Sequence, residues 1–177
     1  MKALAILAAL CLLFLGIFKG MHAAQAQRPS PAATASCDLG GGKSVTVNYS
    51  SPRVKGRKIF GGLVPYGEVW RAGANEATTF VTDADVSVGG KLIPAGAYTL
   101  FAIPDKDKWT LIVSKKTKEW GTPYPGPDSD FARIAMTAST LPAAVENFTI
   151  SFDKSATGCT MNLDWESTRA SIAIAKK

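Results

Sequence analysis

The chain has 177 residues, with 20 basic against 14 acidic side chains, a net charge of +6 and 46% hydrophobic residues. The basic surplus is scattered, apart from Lys115, Lys116 and Lys118, and lacks the dense stripe of a nucleic-acid surface, so no nucleic-acid partner is expected. The single histidine, His22, lies in the leader described next.

Met1-Lys2 opens a charged start, Ala3–Phe18 is apolar, and Ala24-Gln25-Ala26 offers a small-residue cleavage site. This is the pattern of a secretory signal peptide over residues 1–26. The apolar run is shorter than the roughly 20 residues a spanning helix needs, so no stable membrane anchor is expected after cleavage. Export places the product in the periplasm or outside the cell. Cleavage leaves about 150 residues, the size of one domain, with a net charge near +4. It also removes His22. Ser-His-Asp and Cys-His catalysis, histidine-based metal sites and an imidazole pH switch are thereby excluded. No metal or cofactor is expected.

Two cysteines remain, Cys37 and Cys159. An even count in an oxidising compartment predicts one disulfide, closing a loop of about 120 residues. Its entropic contribution has an upper value of about 5 kcal/mol.

Residues 27–36 (QRPSPAATAS) carry no apolar period and read as a flexible tether, with the domain running from Cys37 to Lys177. Gly42-Lys43-Ser44 resembles the end of a phosphate loop, but Cys37 stands where the first glycine belongs and a strand follows. Ser44–Ser50 alternates as a half-buried strand. Thr78–Thr82 and Asp85–Val88 continue the pattern, and Gly89-Gly90 signals a hairpin. Tyr98–Ile103 and Trp109–Val113 are the strongest β runs, joined by a polar loop containing Asp105 and Asp107. That loop lacks the glycine and glutamate of a calcium site. Residues 119–130 (EWGTPYPGPDSD) form a long irregular loop, in which Trp120 and Tyr124 pack onto the sheet or line a surface. Phe131–Ala138, Phe148–Phe152, Met161–Trp165 and Ile172–Ile174 supply the last strands, with a turn expected at Ser167. The sum is an all-β chain, an antiparallel β-sandwich or jelly roll.

Ser51–Thr78 interrupts this scaffold with Arg53, Arg57, Arg71, Tyr66, Trp70 and several glycines. Ser51-Pro52-Arg53, Lys55-Gly56-Arg57, Val64-Pro65-Tyr66-Gly67, Val69-Trp70-Arg71 and Gly73–Thr78 resemble the signature of a bacterial exported family catalogued as domain of unknown function 2911. Pro94–Tyr98 and Trp120-Gly121 resemble it too. The resemblance covers about Val45 to Phe152 and implies one exported domain without naming a reaction.

Three uses of the stretch stand side by side. In a structural module, Arg71 pairs with Glu68 or Glu76 and Trp70 plugs the end of the sandwich. In a ligand-binding module, Arg53, Arg57 and Arg71 hold an anion, Tyr66 and Trp70 present stacking faces, and Asn75 orients the ligand, with Glu76 beside them. The expected partner is then an anionic or saccharide-like small molecule. In a carboxylate-dependent hydrolase acting on a saccharide, Glu68 and Glu76 serve as acid and base.

Overall fold

A computed structural model describes residues 29–120 and 123–177. The expected signal peptide, with Cys11 and His22, lies outside the described residues, as does Gly121. The described chain is all-β, with strands β1 (Ala32–Gly40), β2 (Lys43–Ser50), β3 (Thr78–Thr82), β4 (Val86–Val88), β5 (Lys91–Ile93), β6 (Gly96–Ile103), β7 (Lys108–Ser114), β8 (Asp130–Ser155) and β9 (Gly158–Lys176). A single 3-10 turn, Pro127–Ser129, precedes β8. The nine strands form one antiparallel sheet in the order β1-β2-β3-β6-β7-β8-β9-β4-β5.

Period-2 alternation accounts for most of these elements. Val45 and Val47 on β2, Phe80 on β3, and Leu111 and Val113 on β7 point into one core, while their neighbours face the other way. The sheet folds over on itself, so that β1 lies close to β8 and β9 without pairing to them. Cys37 on β1 and Cys159 on β9 form a disulfide across that closure, with Cα atoms 6.4 Å apart.

Three expectations change. The tether expected over residues 27–36 is strand from Ala32 onward, paired in register with β2 from Ala32↔Ser50 to Cys37↔Val45. Beyond Pro31 nothing in the segment opposes an extended backbone. Ala33 and Ala35 face the core, too small to announce a strand by hydrophobicity. The two strands expected at Phe131–Ala138 and Phe148–Phe152 are one strand, β8, whose register on β9 shifts between Thr140 and Thr149. The turn expected at Ser167 is instead an irregularity within β9, where Glu166 takes φ +53° and pairs with Val145. Shifts of this kind bend a strand without ending it. Between β2 and β3, the chain around Phe60 is a tight loop with a single bridge, Phe60↔Val64.

The segment between β2 and β3 is tied to the sheet at both ends. Arg53 bridges Asn147, Val54 N–H donates to Glu146 O at 2.9 Å, and Phe148 N–H donates to Pro52 O at 2.9 Å. At the far end Trp70 N–H donates to Ala102 O at 2.8 Å, and Ala102 N–H returns to Trp70 O at 2.7 Å. Between these anchors its side chains enter the core. Trp70 stacks on Trp165 with centroids 5.8 Å apart and planes at 19°, and meets Phe60, Trp109 and Phe148 edge-on at 5.0–6.3 Å. Such ring pairs contribute about 0.5–1.5 kcal/mol each beyond area burial.

Two outcomes follow from this packing. Trp70→Ala should cost about 3–5 kcal/mol in urea unfolding, whereas Trp120→Ala, at a ring 63% exposed, should stay within about 0.5 kcal/mol. The bridge should appear in mass spectrometry as alkylation of Cys37 and Cys159 only after reduction, and Cys37→Ser with Cys159→Ser should lower the melting temperature, by at most about 5 kcal/mol of stability.

Candidate functional site

The segment's local geometry determines which charges converge. Lys55 (φ +49°) and Gly56 (φ +67°) form the centre of a type I′ turn closed by Arg57 N–H donating to Val54 O at 3.1 Å. Arg57 fixes its own turn, with Nε donating to Val54 O at 3.0 Å and Nη2 to Arg53 O at 2.6 Å. Arg53 is held from the other side, Nη1 donating to Ser51 O and Ser51 Oγ, both at 2.8 Å. Ser51 Oγ in turn donates to Phe148 O at 2.6 Å. Two arginines are thus oriented by backbone carbonyls and a hydroxyl, with no carboxylate involved.

Arg71 sits on a different device. Trp70 before it is pinned to Ala102, and the loop after it is strained, with Ala72 at φ +47° and Asn75 at φ +56°. Gly73 passes so close to β2 that a Cβ there would meet Ser50 O at 3.0 Å. Thr78 Oγ1 donates to Ala72 O at 2.8 Å, and Trp70 Nε1 donates to Gly73 O at 3.1 Å. These bonds hold the loop, and none of them uses the Arg71 side chain. Among the described residues, no carboxylate lies within ion-pairing distance of Arg53, Arg57 or Arg71.

The result is a concavity of about 380 Å³ with Arg53, Lys55, Arg57 and Arg71 on its wall, together with Trp70, Trp165, Pro52 and Ser30. Among the described residues, no carboxylate lines it. Four like charges around a low-dielectric wall focus a positive potential on the space between them. A second pocket of about 150 Å³ shares Leu63, Val64, Trp70 and Arg71 with it and adds Pro65, Glu68 and Val69.

Of the residues singled out in the sequence, Arg53, Arg57, Trp70 and Arg71 converge on this cavity. Tyr66 does not line it and lies over Gly61, 40% exposed. Asn75 spends its amide on Ser30 O at 3.0 Å. Glu76 lines a separate pocket of about 170 Å³ with Asn48, Tyr49 and Thr79. Glu68 and Glu76, the pair a carboxylate-dependent hydrolase would use, thus line different pockets. Sequence reasoning did not single out Lys55 or Trp165. Lys55 is one of many scattered lysines in the sequence, and only the fold brings it to the cavity wall. Trp165 was visible only as a strand residue.

Trp165 is 1% exposed, and its Nε1–H is buried without an acceptor. An unsatisfied buried donor costs about 1–3 kcal/mol, which makes it an exception among native polar groups. The carboxylates that do pair lie elsewhere. Asp164 takes Arg169 in a two-pronged pair at 2.7 and 2.6 Å, and Asp130 takes Arg133 at 2.7 Å and the Tyr124 hydroxyl at 2.5 Å. Hydrogen bonding to Asp164 and to Asp130 raises the pKa of Arg169 and of Arg133, respectively. Burial, followed by the bond to Asp130, raises that of Tyr124.

No curated protein and no solved structure matches the chain. One family model does, over residues 30–174, which takes in the arginine-bearing segment and all of the sheet but the last two residues of β9. The chain belongs to the family described as protein of unknown function DUF2911.

Proposed function

We propose that this protein is an exported, non-catalytic binding module that takes a small anionic molecule in the Arg53–Lys55–Arg57–Arg71 cavity. One observation carries the reading: four cations share a concave wall on which, among the described residues, no carboxylate stands. A structural role for the arginines alone would be met by ion pairs, as at Arg133 and Arg169. Arg53 and Arg57 are instead oriented with donors to spare, and guanidinium forks suit carboxylate, phosphate and sulfate groups. The adjoining pocket along Leu63, Val64 and Val69 gives room for the body of a ligand whose charged group is held by Arg71. Export to the periplasm or beyond is part of the proposal, supported by the leader-like start and the Cys37–Cys159 bridge.

Titration with phosphate, sulfate and glucuronate against chloride of equal ionic strength tests this by thermal shift. An anion at tenfold over its Kd should add about 1.4 kcal/mol, about 3–6 °C for a domain of this size. Arg71→Ala should weaken binding about tenfold or more while leaving the ligand-free melting temperature within about 2 °C, because its side chain holds no described partner. Equal shifts in wild type and variant would sink the assignment of the site.

A further inference from the structure

Two depressions meet at Arg71, and their walls differ in kind. The cavity of about 380 Å³ carries Arg53, Lys55, Arg57 and Arg71. The adjoining groove of about 150 Å³ is mostly apolar, with Pro65 and Val69 added to Leu63, Val64 and Trp70. Leu63, Val64, Trp70 and Arg71 line both, so one surface runs from cations to aliphatic groups without a break. Among the described residues, Glu68 is the one carboxylate on either wall, and it lines the groove alone.

A ligand can reach the groups that matter. Leu63 is 49% exposed, Pro65 and Glu68 are exposed, and Val69, Trp70 and Arg71 are partly so. The groove is also built before any ligand arrives. Gly61 N–H donates to Val64 O and Val64 N–H to Ile59 O, both at 2.9 Å, and Trp70 is bonded in both directions to Ala102. A preformed site spares the ligand the cost of ordering it.

The two walls ask for two properties in one molecule. An inorganic oxyanion meets the cations but covers none of the groove. A neutral apolar molecule covers the groove but leaves the cations uncompensated. An anion with an apolar body does both, and repulsion from Glu68 directs its charged group to the cavity and its body to the groove. An apolar space of about 150 Å³ is of the size that takes a benzene-sized group.

We propose that the ligand is a small amphipathic anion, an aryl or short-alkyl phosphate, sulfate or carboxylate whose body is uncharged and about the size of benzene. The proposal rests on the anion-binding reading above and deepens it by naming the class of ligand.

Calorimetry on the protein at constant ionic strength tests it with methyl phosphate and phenyl phosphate, which share one charged group and differ in the body. Phenyl phosphate should bind about tenfold tighter or more, close to 1.4 kcal/mol. Phenol, which keeps the ring and loses the anion, should bind at least about tenfold more weakly than phenyl phosphate. Leu63→Ser should cut the advantage of phenyl over methyl phosphate to about threefold or less. In NMR spectra of the wild-type chain, phenyl phosphate should move the Leu63 and Val69 methyl resonances further than methyl phosphate does, a reading that serves if the variant fails to fold. Equal affinities for the two phosphates, with Arg71→Ala weakening both, would overturn the proposal and leave the anion site standing. So would an advantage that survives Leu63→Ser while those methyl resonances stay still, since the ring would then lie elsewhere. Phenol binding as tightly as phenyl phosphate would show that the anion is not required. Capture by anionic lipid vesicles, with no preference for phenyl phosphate, would assign the face to a membrane surface instead. A chain that binds neither phosphate removes the site and the proposal together.

Discussion

The irregular segment between β2 and β3 makes only isolated bridges to the sheet, and its place in the fold depends on the packing of Trp70. That side chain stacks on Trp165 of β9 and meets Phe60 of its own segment, Trp109 of β7 and Phe148 of β8. One ring therefore joins the segment to three strands that are distant in sequence. The backbone bridges Arg53↔Asn147 and Trp70↔Ala102 then set the register on either side of it. Burial supplies the attachment, while the bridges supply direction.

Because apolar packing holds the segment, its charged groups are released from holding it. In many loops an arginine anchors the chain through a carboxylate. Here Arg53 donates to Ser51 and Arg57 to the carbonyls of Arg53 and Val54, and Arg71 belongs to a loop secured by Thr78, Gly73 and the Trp70 indole. Strain at Ala72 and Asn75 is carried by the same bonds. The segment can therefore present several cations on one side without losing its shape.

How much of this was legible in the sequence differs by element. Strands with large residues on one face, such as Tyr98–Ile103 and Met161–Trp165, announce themselves, and β6 and β9 contain them. Strand β1 does not, since Ala33 and Ala35 are its core-facing residues above Cys37 and alanine carries too little apolar contrast. The length of β8 was hidden by Pro142 and the small residues beside it, which look like a break and act as register shifts on β9. For the cavity, Arg53, Arg57, Trp70 and Arg71 were legible because they are local. Trp165 could not be, since its part depends on β9 passing beneath a segment far back in the chain.

The same distinction bears on what the cavity is for. A group of cations on a folded surface raises the energy of the folded state by mutual repulsion unless solvent, a carboxylate or a ligand offsets it. Elsewhere this chain uses carboxylates: Asp164 beneath Arg169, Asp130 beside Arg133. At the cavity it does not, although Glu146 and Glu166 lie on the adjoining strands. Their carboxylates accept backbone N–H groups of Lys55 and Ile59, at 2.9 and 3.3 Å. These two acids are thus committed to the segment's backbone and neutralise none of the cavity's cations. An occupant bearing acceptor oxygens would offset that repulsion, which is why anion binding accounts for more of the site's geometry than a purely structural role.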